Sequence, residues 1–253
     1  MTQRIPAKIA IVTGGSRGIG AATCTLLAQQ GYDVCFSYHK DTQQADTVVE
    51  AISGCGQRAL AVQADVADPD AVEHLFRECD EQLGTLTALV NNAGIVGDKA
   101  RLDEIGLARF ERILAVNVTG TFLCCKAAVQ RMSTLHGGSG GSIVNVSSIA
   151  PRIGSPGEYV DYAASKGAVD VLTLGLAKEV ATESIRVNAV RPGIIDTEIH
   201  ASGGQPDRVA RYAPSIPMQR GGRAEEVAES IVFLLSDKST YTTGSLLDVG
   251  GGR

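Results

Sequence analysis

Short apolar runs rich in β-branched residues alternate along this chain with longer stretches whose apolar positions recur at helical spacing. The short runs Lys8–Thr13, Asp33–Tyr38, Ala59–Gln63, Ala88–Asn91, Ser142–Ser147, Ile185–Val190 and Leu246–Val249 read as strands. Most are nearly continuous in apolar character, as expected when both faces of a parallel sheet are covered. Val72, Leu75, Phe76, Cys79 and Leu83 recur at helical spacing, with Asp68 placed to cap the helix. Segments 107–133 and 159–181 are apolar around more of their circumference and predict helices buried on more than one side. Strand–helix alternation throughout predicts an α/β class with a doubly wound, mostly parallel seven-stranded sheet and helices on both faces.

Two stretches break the alternation. His136–Gly141 reads as a flexible surface turn before a strand. Residues 193–223 hold Gly203, Gly204, Pro206, Pro214, Pro217, Gly221 and Gly222, and an excursion of that length predicts a functional lid. The 253 residues show no change of composition at any boundary, so one domain, 1–253, is expected. Hydrophobic residues at 44% exclude a disordered chain, and 29 glycines without a fixed period exclude a collagen-like one. A net charge of −5 argues against non-specific nucleic-acid binding. No apolar run reads as the roughly 18 residues of a membrane span, and the start MTQRIPAK lacks an apolar signal segment, so the expected address is the cytoplasm. Six cysteines without a C-x-x-C pair and four scattered histidines predict buried free thiols and no metal site.

The first strand runs into a turn carrying Gly14, Gly15, Gly18 and Gly20, and a helix follows at once. Glycines allow the tight turn and close backbone approach, while a helix N-terminus offers unpaired N–H groups and a favourable dipole. That is the logic of a pyrophosphate site. The spacing, G-x-x-x-G-x-G, differs from the G-x-G-x-x-G dinucleotide fingerprint and from the phosphate loop of nucleotide triphosphatases.

Thr13-Gly14 with Gly18 and Gly20 resembles the first turn of the short-chain dehydrogenase/reductase family, and further elements follow in that family's order. Asn91-Asn-Ala-Gly94 follows the fourth strand, Asn117 lies in Val116-Asn-Val, and Ser147-Ser148 ends the fifth strand. Tyr162-Ala-Ala-Ser-Lys166 matches its Y-x-x-x-K, and Arg191-Pro-Gly193 with Thr197 matches its P-G turn. The resemblance implies a Rossmann-type fold and hydride exchange between a nicotinamide dinucleotide and a carbonyl or secondary alcohol. It implies that Tyr162 is general acid and base, and that Lys166 binds ribose hydroxyls. Ser148 would hold the substrate oxygen, and Asn117 a water leading to solvent. Independently, residues four apart on a helix share a face, and a neighbouring ammonium lowers a phenol's pKa toward the working range. Ser148 is preferred over Ser147 because strand alternation sends Ser147 to the other side. Asp161 reads as a solvated or loop-anchoring acid.

Cofactor contacts are expected from the turn residues Gly14, Ser16, Arg17, Gly18, Ile19 and Gly20. The second strand ends Ser37-Tyr38-His39, without the acid that usually grips an NAD ribose. Arg17 with His39 and Lys40 would instead receive a 2′-phosphate, so NADP(H) is expected over NAD(H). By resemblance, Asp65 and Val66 meet adenine; Asn91, Ala93 and Gly94 pass the adenosine side. Pro192 and Gly193 form the turn beside nicotinamide, with Ile195 and Thr197 at its carboxamide.

For substrate the candidates are Ile95, Val96, Arg152, Ile153, Tyr159, Ile194 and the 198–220 lid. They predict a partly apolar carbonyl compound, with Arg152 either meeting an anion or forming a surface ion pair. Segment Ser155–Tyr162 resembles sugar-dehydrogenase-like and uncharacterised bacterial members of the family. A sugar or polyol dehydrogenase working oxidatively, or an idle NADP(H)-binding sensor, therefore stays open. The resemblance and the two long apolar helices imply a homo-oligomer, a tetramer.

Overall fold

The computed structural model describes residues 8–253, and in it every predicted strand is present within one or two residues of its expected bounds. The reading of the N-terminus as free of a signal segment rests on residues that lie almost wholly outside this range. The chain begins with β1 (Lys8–Val12), α1 (Gly18–Gln29), β2 (Tyr32–Tyr38), α2 (Thr42–Gly54), β3 (Ala59–Gln63), α3 (Pro69–Gln82) and β4 (Ala88–Asn91). It continues through α4 (Leu107–Leu114), α5 (Thr121–Met132), β5 (Gly141–Val146), α6 (Ala150–Ile153), α7 (Val160–Glu179) and β6 (Ile185–Pro192). Last come β7 (Ile195–Asp196), α8 (Ile199–Ser202), α9 (Arg208–Tyr212), β8 (Gly222–Arg223), α10 (Ala224–Leu235) and β9 (Leu246–Val249).

Seven strands form one sheet in the order β3-β2-β1-β4-β5-β6-β9, and every pairing is parallel. The near-continuous apolar runs follow from this. In β1, Ile9 and Ile11 feed the core beneath α3, α5 and α7, while Ala10 and Val12 feed the core beneath α1, α2 and α10. The Asp68 carboxylate caps α3 as expected, accepting from the Asp70 amide at 3.0 Å.

Two expectations are corrected. Leu107–Met132 is one continuous helix, with a π-helical turn at Ala115–Gly120, and by length and composition alone it would reach across a membrane. Half of its apolar window is buried, and α5 packs on α3, β4 and β5, which accounts for that apolar character as a core helix. Gly138, Gly140 and Gly141 are packed rather than merely flexible, while Gly137 is open. A Cβ on Gly138 would lie 2.4 Å from the carbonyl oxygens of Arg131 and Met132, and one on Gly140 would lie 2.5 Å from that of Ser184.

The 193–223 excursion carries its own structure. It holds α8, α9 and the short parallel pair β7–β8, in which Ile195 faces Gly222, and it buries Ile216. Close packing is tightest at the first βα turn, where a Cβ on Gly20 would sit 2.2 Å from the Gly14 carbonyl oxygen. Gly20→Ala is therefore expected to lower stability by about 1–3 kcal/mol or more through overpacking against backbone. Gly54→Ala, with nothing within 4 Å of the added carbon, should be neutral or gain about 0.4–1 kcal/mol. Urea denaturation of the two variants checks the contrast, and equal midpoints would contradict it.

Candidate active site

Strand order reverses between β1 and β4, and a doubly wound sheet opens its crevice beyond the C-terminal ends of the strands at such a point. Hydrogen bonds fix the two loops that leave these strands. Thr13 Oγ1 accepts from the Asn92 and Ala93 amides, each at 3.0 Å, while Asn92 Nδ2 donates to the carbonyls of Thr13 at 3.0 Å and Gly14 at 2.9 Å. Ser37 Oγ accepts from the Gly14 amide at 3.1 Å, which ties the end of β2 into the same turn. The sequence pattern places Thr13 in the glycine turn but assigns no site role to Thr13, Ser37 or Asn92. The N-N-A-G pattern was the signal for Asn92, and the first asparagine was chosen in its place.

The structure corrects the expectation for Asn91. Asn91 is buried, and its Nδ2 donates to Asn145 Oδ1 at 2.8 Å, so its side chain belongs to the interior. The cleft is walled instead by Asn92, Ala93 and Gly94. Gly14, Ser16, Arg17, Gly18 and Ile19 form its floor, with Tyr38, His39, Asp65 and Val66 on the far side. Gly20 packs beneath the turn, not on the cleft surface. Lys40 is exposed and stands apart from the lining.

These residues fit a dinucleotide. Gly14 and Gly18 hold φ of +63° and +52°, where side chains are strained, and α1 starts at Gly18 with no capping side chain. Its first amides stay available to a phosphate. Burial pushes the Asp65 carboxyl up, but the Ala67 amide and the Arg112 guanidinium outweigh it and hold Asp65 below the usual range. Arg112 Nη2 reaches Asp65 Oδ2 at 2.7 Å and lines the cleft; it carried no motif in the sequence. Arg17 is exposed at the mouth.

The cleft continues past Gly94 into a second chamber that holds Ser148, Tyr162 and Lys166, with Pro192, Gly193, Ile195 and Thr197 opposite. The chemistry of the first two is coupled. Burial raises the Tyr162 phenol above its ordinary pKa, while its hydrogen bond with Ser148 and the charge of Arg208 draw it down. Lys166 Nζ lies 5.8 Å from the Tyr162 ring centre, and burial is the largest influence on the phenol. Lys166 is 4% exposed, donates to the Val146 carbonyl at 2.7 Å, and is lowered by burial to about 8. Ser147 Oγ turns away to the Lys166 carbonyl at 3.2 Å, although Ser147 still borders the chamber.

Asn117 sits in the π-helical turn, fully buried and outside the cleft lining. Its Oδ1 accepts from the Ile95 amide at 2.8 Å, and its Nδ2 donates to the Ile95 carbonyl and to Ser165 Oγ, both at 3.0 Å. The side-chain amide therefore clamps the loop after β4 to α7. Asp161 is also no solvated acid. It is buried and paired with Arg109, Nε to Oδ2 at 2.8 Å, which anchors α7 to α4 beside Tyr162.

Of the substrate candidates, Val96, Ile153, Tyr159 and Ile194 line the second chamber, while Ile95 lines the first. Arg152 takes the second of its two expected roles: it forms an ion pair with Asp248 and does not border the chamber. Arg208 does. Its Nη2 meets Glu158 Oε2 at 2.8 Å, and Tyr212 donates to Glu158 Oε1 at 2.6 Å, latching α9 to the segment before Tyr162. Arg208 lay inside the irregular excursion, where no periodicity marks it out.

A family model described as "Enoyl-(Acyl carrier protein) reductase" matches residues 14–253. The chain is 57% identical over 245 residues to the uncharacterized oxidoreductase YgfF of Escherichia coli strain K12, covering 97% of this chain and 99% of that protein. It is 41% identical over 252 residues to a cis-4-hydroxycyclohexanecarboxylate dehydrogenase of Sinomonas cyclohexanicum, covering 100% and 98%. Among solved structures, a blue fluorescent protein from a metagenomic library in complex with NADPH superposes with a TM-score of 0.89 at 35% identity, covering 99% of each chain.

The buried lysine has a measurable signature. An ammonium held at about 8 against an ordinary value near 10.4 destabilises the fold by roughly 3 kcal/mol at neutral pH. Below pH 8 the penalty is present in full. Between there and about pH 10.4 the unfolded chain binds more protons than the folded one, so stability rises with pH. Wild-type stability relative to Lys166→Met is expected to climb across that window in denaturant melts. A flat or falling difference would contradict the burial assignment.

Proposed function

The chain belongs to the short-chain dehydrogenase/reductase family, whose members act on CH–OH and C=O groups with NAD(P)(H), and from that premise we propose an NADP(H)-dependent carbonyl reductase with Tyr162 as general acid and base. The observation that carries this reading is the continuity of one cleft, from the glycine turn to the wall bearing Ser148, Tyr162 and Lys166. A dinucleotide bound there supplies the hydride. Gly14, Ser16, Arg17, Gly18 and Ile19 would hold its phosphates, Asp65 and Val66 its adenine end. Lys166 would meet its ribose, and Pro192, Gly193, Ile195 and Thr197 its nicotinamide end.

The protein's own part is position and proton transfer. Ser148, which shares the chamber wall with Tyr162, fixes the substrate oxygen beside the phenol. Tyr162 gives that oxygen a proton in reduction and removes it in oxidation. A lysine lowered to about 8 retains enough positive charge at neutral pH to favour the phenolate when it forms. Asn117 positions rather than reacts, because its amide holds Ile95 and Ser165. Segment 193–223 acts as the lid over the second chamber of a single nucleotide-binding domain.

Selectivity for NADP(H) is read from the mouth of the first chamber. Arg17 is exposed there, and of the two carboxylates that line this chamber Asp65 is engaged by Arg112 and the Ala67 amide, while Glu198 stands beside Gly18. The outer faces of the two long helices expose Phe122, Val171 and Leu174, which we read as the contact of a homotetramer. Six unpaired thiols suit a reducing cytoplasm.

Turnover tests the central reading. NADPH consumption is expected with a panel of ketones and aldehydes, and Tyr162→Phe should lower kcat by about 10²–10⁴-fold while NADPH binding persists. NADP⁺ reduction confined to sugars or polyols would establish the oxidative alternative, and binding without turnover on either panel would establish the sensor. Arg17→Ala should reduce the NADPH-over-NADH preference in kcat/KM by about tenfold, the size of one charge-assisted hydrogen bond. An unchanged preference would contradict the role given to Arg17.

A further inference from the structure

Arg208 is 8% exposed, yet its Nη1 is buried with no hydrogen-bond partner. Orphaned buried donors are uncommon in folded proteins, and on a charged group they mark a place where an acceptor belongs. The guanidinium is not loosely held. Tyr159 and Tyr212 stack on it at 4.8 and 5.0 Å, and Glu158 takes its Nη2 at 2.8 Å. It borders the second chamber, and its charge is felt by both the Tyr162 phenol and the His200 imidazole of the same chamber.

The charge balance around it leaves room for an anion. Glu158 is one carboxylate, shared by Arg208 and, at 4.0 Å, by Lys99. Arg253 adds a further guanidinium on the chamber wall, stacked on Tyr212 at 5.0 Å. Between these cations and Tyr162 the wall is mainly apolar, with Val96, Ile149, Ile153 and Ile199. A compact apolar body with a carboxylate at the end away from its carbonyl matches this arrangement. A polyol would bring a hydroxyl to nearly every carbon and find few partners along that wall.

We infer that Arg208 is the specificity-determining residue for a substrate carboxylate, so that the natural substrate pair is an oxo acid and its hydroxy acid. The inference rests on the oxidoreductase reading for the reaction itself. In that reaction the carbonyl carbon gains a hydride from the reduced dinucleotide, and the carbonyl oxygen gains the Tyr162 proton. The Arg208 guanidinium donates to the carboxylate, holding the far end while Ser148 and Tyr162 meet the carbonyl.

The experiment compares 4-oxocyclohexanecarboxylate and 4-oxopentanoate with their methyl esters in NADPH-consumption assays, using wild type, Arg208→Met and Arg208→Lys. In parallel, calorimetry with NADPH present measures the binding of cyclohexanecarboxylate and of cyclohexanecarboxamide, neither of which can react. Wild type is expected to favour the acids over the esters by tenfold or more in kcat/KM. That ratio should collapse in Arg208→Met and return in part in Arg208→Lys, whatever the absolute rates. Cyclohexanecarboxylate should bind wild type more tightly than the carboxamide, and Arg208→Met should lose the difference. If Arg208→Met fails to fold, as judged by its thermal melt, the double variant with Glu158→Gln removes the stranded carboxylate and carries the comparison. Equal use of acids and esters, or an acid preference that survives in Arg208→Met, overturns the inference while leaving the reductase intact. Arg208-dependent carboxylate binding without turnover of any carbonyl or alcohol supports the anion site and overturns the reductase reading instead.

Discussion

Thr13 and Asn92 hold together the two loops on which everything else in the site is built. A parallel sheet leaves its loops free at the C-terminal ends of its strands, and the crevice between β1 and β4 would have no fixed width without a crosslink. Here the crosslink is four hydrogen bonds: the Asn92 and Ala93 amides donate to the Thr13 hydroxyl, and the Asn92 side chain donates to the carbonyls of Thr13 and Gly14. It sets the glycine turn on one side and Gly94 on the other. From Gly94 the structure passes directly to chemistry, since a Cβ there would lie 3.3 Å from Lys166 Nζ and 3.5 Å from Asn117 Oδ1. One clasp thus couples the glycine-turn end of the cleft to the end that holds Lys166 and Asn117.

The fold was legible because both faces of the sheet are buried. Strands with Ile9 and Ile11 on one side and Ala10 and Val12 on the other leave a continuous apolar signature, and helices show their own period. Much of the site was legible too, because glycines at positive φ and a tyrosine–lysine pair one helical turn apart constrain residue identity by position. What escaped is of a different kind. Asn91 and Asn92 are adjacent and identical, and only the direction in which β4 ends decides which one faces the cleft. Gly138 and Gly140 resemble flexible linkers in sequence, yet carbonyls from Arg131, Met132 and Ser184 close on them. Arg208 lies in an excursion without periodicity, and its partners Glu158 and Tyr159 come from a segment about fifty residues earlier.

The site also concentrates groups that an ordinary core would avoid. Lys166 is a buried ammonium beside the carbonyl of Val146, Asp161 is a buried carboxylate paired with Arg109, and Arg208 is a buried guanidinium with one nitrogen unpaired. Each costs stability in isolation. The sheet and the long 107–132 helix offset that cost, and the π-helical turn at Ala115–Gly120 places Asn117 where it can clamp the loop after β4 to α7. Rigid scaffolding and a polar, partly unsatisfied cleft are two aspects of one design.

Hydrogen exchange with and without NADPH tests most directly whether the clasped loops form one dinucleotide cradle. Added NADPH is expected to protect backbone amides of residues 14–20 and 92–95 together, on both sides of the Thr13–Asn92 clasp, with little change at the distant turn 137–141. Protection at neither loop, or at residues remote from both, would contradict the account.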